Sequence, residues 1–99
     1  NIKKEITVDF IQEIVSEYFQ ISIEELQSKT RKRHVVQARQ LAMFFAKKYT
    51  KLSLANIGKY IGKRDHATVL HACKTVDNLN ETDKQFRKFF SDLTTKIKQ

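Results

Sequence analysis

A short segment from Asp65 to His71, reading DHATVLH, holds side chains that can recognise or transform a ligand. An aspartate accepts hydrogen bonds, and a histidine can donate to a purine N7, a phosphate or a reacting group. His66 and His71 are five residues apart, so on a helix their directions differ by about 140°. Zinc-binding helices use histidines at i and i+4, and the spacing here therefore argues against a metal site.

The residues around this segment predict that it begins a helix with two different sides. At about 100° per residue, one side collects apolar residues, namely Val69, Ala72, Cys73, Val76 and Leu79. The opposite side is small and polar, with Ala67, His71, Lys74 and Asn78 flanked by Thr68 and Thr75. The first side is predicted to face the core. The second fits a DNA major groove without steric conflict.

Asp65 precedes this helix and has two compatible interpretations. As an N-cap, its carboxylate accepts the backbone N–H of Ala67 or Thr68. In a DNA groove, the same carboxylate can accept a hydrogen bond from a cytosine amino group and repel phosphate, which would exclude some sequences.

A preceding helix completes a helix-turn-helix pattern from Leu54 to Leu79. Ser53 is the predicted cap of the short helix Leu54 to Ile61. Gly62 closes that helix, and the second helix opens at Asp65 after a tight turn. Function, if it lies in this chain, is expected to lie in this motif.

The net charge of +8 is unevenly distributed. Residues 1–25 have a net charge of −4 and residues 65–99 of +1, whereas residues 26–64 contain eleven Lys or Arg and no Asp or Glu. Solvated surfaces usually mix both signs, so this stretch favours a polyanionic partner over a merely soluble basic face. Membrane binding is disfavoured because the cations do not adjoin a strongly apolar exposed face.

The segment Lys29–Arg33, reading KTRKR, has no apolar residue and is predicted to be a basic loop. Flexible arginines beside a helix-turn-helix commonly enter the adjacent minor groove, and Arg31 is the candidate. For Lys32, simple attraction to phosphate is an equal alternative. A helix is predicted from His34 to Thr50, and the residues outside its apolar stripe that we expect to hold phosphates are Arg39, Gln40, Lys47 and Lys48.

The chain as a whole indicates an all-α fold, a compact bundle of about six helices. It has no proline, and its two glycines do not supply the turns of a many-stranded fold. Thr7 and Ser22 are predicted to cap the first two helices, and a final amphipathic helix restarts at Asn80 or Thr82. We expect residues 1–99 to be a single domain cut from a longer protein, because the chain begins without Met or a leader.

Several other classes are disfavoured by composition. One cysteine excludes an internal disulfide, and no apolar run approaches the roughly 18 to 20 residues that span a bilayer, so we expect a cytoplasmic chain without membrane insertion. No glycine-rich phosphate loop is present, and no cofactor is expected in this chain. A nuclease using His66, His71 and Asp65 lacks an acidic cluster for Mg²⁺ in residues 26–64, so an enzyme is not expected.

Two binding classes compete with a duplex-DNA module. A basic RNA-binding helical module would also use the cations, although nearly every Phe and Tyr falls on an apolar stripe rather than on a stacking surface. A helix-turn-helix transcription regulator shares the chemistry but usually binds palindromes as a dimer.

Two motifs resemble the C-terminal DNA-binding domain family of the bacterial replication initiator DnaA. They are RDH-x-TV-x-HA from Arg64 to Ala72 and SK-x-R-x-R-x-x-V-x-ARQ-x-AM from Ser28 to Met43, and the resemblance covers essentially the whole chain. It implies a helical domain that binds duplex DNA as a monomeric unit, at a short nonpalindromic A/T-containing site called a DnaA box. It also implies a role in replication initiation at the nucleoid, with ATP bound by a domain of the parent protein outside this chain.

The resemblance also implies roles for individual residues. The position matching Arg31 enters the minor groove, and those matching Asp65, His66 and Ala67 read bases in the major groove. The positions that support docking, mainly on the DNA backbone, are Arg39, Gln40, Lys47, Leu54, Ala55, Thr68 and His71.

Two positions depart from the family's usual pattern. The family most often has Thr or Ser where this chain has Ala67, whose methyl group can meet a thymine methyl but makes no hydrogen bond. The family usually has a glycine pair where Gly62 is followed by Lys63, and we expect Lys63 to add a charge beside the groove.

Overall fold

The computed structural model describes residues 5–98, which form six α-helices and contain no strand. The helices are α1 Val8–Phe19, α2 Ile23–Gln27, α3 Arg33–Tyr49, α4 Leu54–Tyr60, α5 His66–Thr82 and α6 Lys84–Lys98. The prediction of an all-α bundle of about six helices is confirmed. Helices α4 and α5 form the helix-turn-helix that the sequence placed between Leu54 and Leu79.

Four helices begin where the sequence places a capping side chain. The capping residues are Thr7, Ser22, Ser53 and Asp65, and each accepts the backbone N–H three residues further on, at 2.9–3.2 Å. The first turn of a helix leaves these N–H groups without a partner inside the helix. Each cap therefore fixes where its helix starts.

Two helix boundaries differ from the sequence prediction. α5 continues to Thr82, so the restart predicted at Asn80 is wrong. The chain breaks at Asp83, whose Oδ1 accepts the N–H groups of Gln85 and Phe86 at 3.0 and 3.1 Å and so caps α6. α3 begins at Arg33 rather than His34. Its N-cap residue is Lys32, which makes no side-chain cap hydrogen bond, so the sequence carries no capping signal at this boundary.

The core is centred on α3, which packs against α1, α2, α4 and α5. Its fully buried apolar residues are Val35, Ala38, Leu41, Ala42, Phe45 and Ala46. α5 contributes Val69 and Val76, which are equally buried, and α6 adds Phe86 and Leu93. Burying one large apolar side chain stabilises a fold by about 2 kcal/mol, so these contacts fix the orientation of α5.

The predicted core face of α5 is confirmed in most of its members. Val69, Ala72 and Val76 are buried, while Cys73 and Leu79 are half-buried. Burial raises the pKa of the Cys73 thiol. In residues 5–98 we find no helix with the length and apolarity required to cross a membrane.

Candidate nucleic-acid interface

Helix α5 exposes the side that the sequence assigns to a ligand. The exposed residues there are His66, Ala67, Thr68, Leu70, His71, Lys74 and Asn78. Val69 and Val76 on the opposite side are fully buried, so the helix cannot rotate without exposing core residues. The predicted exposure of His66 and His71 is confirmed, whereas their contacts with DNA stay predictions.

Leu70 is an exposed apolar residue that was not predicted as part of the site. Its exposed fraction is 44%, and it follows Ala67 by three residues on the same side of α5. Its exposure could have been predicted from helical spacing, which separates Leu70 from the apolar residues of the core face. Leu70 gives this surface a second side chain, besides Ala67, that is suited to contact a thymine methyl group.

Asp65 is an ionised cap at the start of this exposed side. Its Oδ1 accepts the backbone N–H of Thr68 at 2.9 Å and the Thr68 hydroxyl at 2.8 Å. These bonds, the backbone one first, lower the pKa of the Asp65 carboxyl, which is fully exposed. The predicted cap is confirmed through Thr68. The Asp65 carboxylate is therefore a charged hydrogen-bond acceptor at the N-terminus of α5.

The basic loop comprises residues 28–32, between α2 and α3. Lys29, Arg31 and Lys32 are exposed, and Thr30 is half-buried. Ser28 orders the start of the loop because its hydroxyl donates to the Glu25 carbonyl at 2.7 Å and accepts the Thr30 N–H at 3.3 Å. The predicted loop is confirmed for residues 29–32, whereas Arg33 is already the first residue of α3. Arg31 and Lys32 are accessible to a ligand.

Arg39 does not lie on the exposed side of α3, and that prediction is wrong. Only 9% of the residue is exposed. Its Nε donates to the Leu26 carbonyl at 2.8 Å, and its Nη2 donates to the Ser28 carbonyl at 2.7 Å. Burial, and then repulsion by Arg64, lowers the pKa of the Arg39 guanidinium. Arg39 therefore holds the basic loop through backbone carbonyls, and its contact with phosphate stays a prediction that no observation tests.

The other cations of residues 26–64 separate into two groups. Arg64 is half-buried, and like Arg39 it donates hydrogen bonds to backbone carbonyls. The other nine are exposed: Lys29, Arg31, Lys32, Arg33, Lys47, Lys48, Lys51, Lys59 and Lys63. Residues 26–64 contain no Asp or Glu, although Arg33 forms an ion pair with Asp83 at 3.9 Å. Residues 26–64 therefore present many exposed cations and no carboxylates of their own.

The remaining predicted docking residues differ in exposure. Lys47 and Ala55 are exposed, whereas Gln40 and Leu54 are half-buried. Lys48 lies with its Nζ 5.6 Å from the centre of the Tyr49 ring, a cation–π contact that holds its stem along the protein. Of these residues, Lys47 and Ala55 offer the most accessible surface to a ligand.

The turn between α4 and α5 places two consecutive residues in the left-handed region. Gly62 has φ +81° and Lys63 has φ +55°, both in the left-handed region. The turn is closed by the Arg64 N–H, which donates to the Gly58 carbonyl at 2.8 Å. A side chain at the second position is strained relative to glycine, and this chain accepts that strain at Lys63.

Two helices joined by a tight turn, the second exposed along one side and surrounded by cations, define a helix-turn-helix domain. This class presents its second helix to the major groove of DNA. Residues 8–76 match the family described as the bacterial DnaA protein helix-turn-helix. The chain belongs to this family, and the resemblance carried by its two sequence motifs is confirmed.

Named relatives show the same relationship along the whole chain. The chromosomal replication initiator protein DnaA of Flavobacterium psychrophilum is 72% identical over 97 residues, which are 98% of this chain and 20% of the relative. The protein of the same name from Bacteroides thetaiotaomicron is 46% identical over 99 residues, which are 100% of this chain and 21% of the relative. The chain thus spans about a fifth of the length of these curated relatives.

Proposed function

We propose that this chain binds duplex DNA sequence-specifically, at DnaA boxes of a chromosomal origin, and so serves the initiation of replication. The relatives are named as chromosomal replication initiators. The observation that carries the proposal is the exposure of His66, Ala67 and His71 on one side of α5 while its other side is fixed in the core. A rigid helix with small and polar side chains can approach base edges in a major groove.

In this proposal the start of α5 reads the bases. Asp65 accepts from an amino group such as that of cytosine, and His66 donates to a purine N7. Ala67 meets a thymine methyl group, which Leu70 also suits. Thr68 has its hydroxyl on Asp65, and together with His71 it supports the helix against the DNA backbone.

The cationic surface supplies affinity and orientation. Arg31 enters the adjacent minor groove, where a narrow A/T-rich segment concentrates negative potential. Lys32 and Lys47 neutralise phosphates. Gln40, Leu54 and Ala55 contact the backbone of the same duplex.

The proposal extends to the setting of the chain. Residues 1–99 act as one DNA-binding domain of a longer cytoplasmic protein at the nucleoid. The domain binds a nonpalindromic site as a monomeric unit, is a binding module rather than an enzyme, and needs no cofactor of its own. ATP is bound elsewhere in the parent protein.

Selection from a randomised duplex pool, followed by sequencing of the retained molecules, tests this function. We expect enrichment of one nonpalindromic A/T-containing site with one protein per duplex. Enrichment of a palindrome bound by two copies would instead indicate a transcription regulator. A preference for RNA over a duplex of equal length would indicate an RNA-binding module. A pool that stays random would refute sequence specificity, and an Arg31→Ala selection shows which part of the site the minor-groove contact reads.

A further inference from the structure

One backbone oxygen joins three parts of the molecule. The Ser28 carbonyl accepts hydrogen bonds from Nη2 of Arg39 at 2.7 Å and from Nη2 of Arg64 at 2.6 Å. Arg39 belongs to α3, Arg64 immediately precedes the cap of α5, and Ser28 begins the basic loop. Two charge-assisted bonds on one acceptor hold it more firmly than a single neutral bond.

Arg64 is held by hydrogen bonds from both its backbone and its guanidinium. Its backbone N–H is bonded to the Gly58 carbonyl of α4. Its Nη1 donates to the carbonyls of Ile61 at 2.9 Å and Gln27 at 3.2 Å. The side chain therefore spans from the turn before α5 to the segment before the basic loop.

Gly62 leaves the space that this side chain occupies. A Cβ atom at Gly62 would collide with Nη1 of Arg64 and with the Gln27 carbonyl. The path of Arg64 to the basic loop thus depends on a residue without a side chain at this position.

Arg39 and Arg64 carry like charges, although both donate to the same Ser28 carbonyl. Burial, and then repulsion by Arg64, lowers the pKa of Arg39, and burial lowers the pKa of Arg64. A planar guanidinium can bond several carbonyls at fixed angles, whereas a lysine ammonium is a flexible point charge. The planar arrangement of guanidinium N–H groups explains why both positions are arginine and not lysine.

We propose that Arg64, supported by Arg39, is a positioning residue that fixes the basic loop relative to the start of α5. Through this link, Arg31 and the base-reading residues Asp65 and His66 meet adjacent grooves of one duplex at the same time. The inference rests on the proposed function for its consequence in binding. The structural link itself can be measured without DNA.

The test in binding is a thermodynamic cycle between Arg64→Lys and Arg31→Ala on the duplex selected from the randomised pool. We expect Arg64→Lys to weaken binding roughly tenfold when Arg31 is present and to have little effect in the Arg31→Ala background. Equal losses in both backgrounds, or no loss in either, would overturn the inference. Lys63→Ala, an exposed neighbour, is the control whose effect should be the same in both backgrounds.

The test without DNA measures the distance between spin labels on cysteines placed at Lys32 and Lys74, with Cys73→Ala. We expect a narrow distribution that broadens with Arg64→Lys and stays narrow with the control Lys59→Ala. An unchanged distribution in Arg64→Lys would overturn the link even if the domain reads DNA as proposed. A broadened distribution in a domain that selects no duplex would support the link and refute the proposed function. If Arg64→Lys does not fold, Arg64→Gln takes its place in both tests.

Discussion

Thr68 donates both its backbone N–H and its hydroxyl to the same oxygen of Asp65, at 2.9 and 2.8 Å. None of the hydrogen bonds found within residues 5–98 uses the other carboxylate oxygen. Asp65 can therefore cap α5 and still present a charged acceptor to a ligand. Capping and the proposed base reading are separable by substitution, because the cap leaves the second oxygen for the base.

Asp65→Asn should retain the cap and lose the reading of bases. An asparagine oxygen caps helices about as well as a carboxylate, but the amide presents a donor where aspartate presents an acceptor. We expect thermal unfolding close to that of the unsubstituted chain and a roughly tenfold loss of preference for the selected duplex over a scrambled one. Asp65→Ala should lower both stability and preference. A full preference in Asp65→Asn would limit Asp65 to capping.

His66→Ala should reduce specificity, and Lys47→Ala should reduce affinity in general. We expect His66→Ala to cost about 1 to 3 kcal/mol on the selected duplex and much less on a scrambled one, because the lost contact is to a base. Lys47→Ala should weaken both duplexes nearly equally, since phosphates are present in every sequence. Binding isotherms on the two duplexes measure this. A loss from His66→Ala that is equal on both would place His66 on the backbone.

Binding should depend strongly on salt. If about five phosphates are neutralised, log K should fall with log salt at a slope of roughly −4 to −5. Lys63→Ala should make the slope shallower by about 1, because Lys63 is exposed beside the turn before α5. Titrations at several salt concentrations give the slope. An unchanged slope in Lys63→Ala would refute a contact between Lys63 and phosphate.

Lys63→Gly should stabilise the domain relative to Lys63→Ala. The φ of +55° at Lys63 is available to glycine at little steric cost, whereas a Cβ atom there costs about 1 to 2 kcal/mol. Both variants lack the charge, so their difference isolates the backbone. We expect the free energy of unfolding in urea to be higher for Lys63→Gly by about 1 kcal/mol, after the entropy of glycine in the unfolded chain is included. Equal stabilities would show that the turn relaxes around a side chain.

Tyr18 should stabilise the bundle in a pH-dependent way. Its hydroxyl donates to Oδ2 of Asp92 at 2.7 Å and so joins α1 to α6. Burial, and then this hydrogen bond and the charge of Asp92, raises the pKa of Tyr18 from 10.0 to about 12. Because the folded state favours the protonated phenol, the stabilisation is complete below pH 10 and is lost as the pH rises through about 12.

The comparison that tests this is Tyr18→Phe against the unsubstituted chain. We expect Tyr18→Phe to lower the free energy of unfolding by about 1 kcal/mol at neutral pH, with the difference shrinking in alkaline solution. Phenolate absorbance of the two proteins gives the pKa of Tyr18 by difference. A difference in stability that does not change with pH would contradict the role of the Asp92 contact.

The local sequence was sufficient where a feature depends on residues within one or two helical turns. Thr7, Ser53 and Asp65 cap their helices as predicted, because a cap needs only the N–H three residues away. The two sides of α5 were also predictable, since helical spacing alone separates Val69 from His71. The break at Asp83 was missed because the polar residues before it at Asn80 and Thr82 offered equally plausible restarts.

The sequence by itself determined the six-helix fold, the helix-turn-helix and the side of α5 that is exposed, because periodicity and capping act between neighbours in the chain. Only the tertiary structure decided what Arg39 and Arg64 do. In the sequence they are two of eleven similar cations, and their partners are carbonyls on other elements, the Ser28 carbonyl being 36 residues from Arg64. A charged side chain turns inward only where folding brings unoccupied acceptors to it, and no local pattern records that meeting.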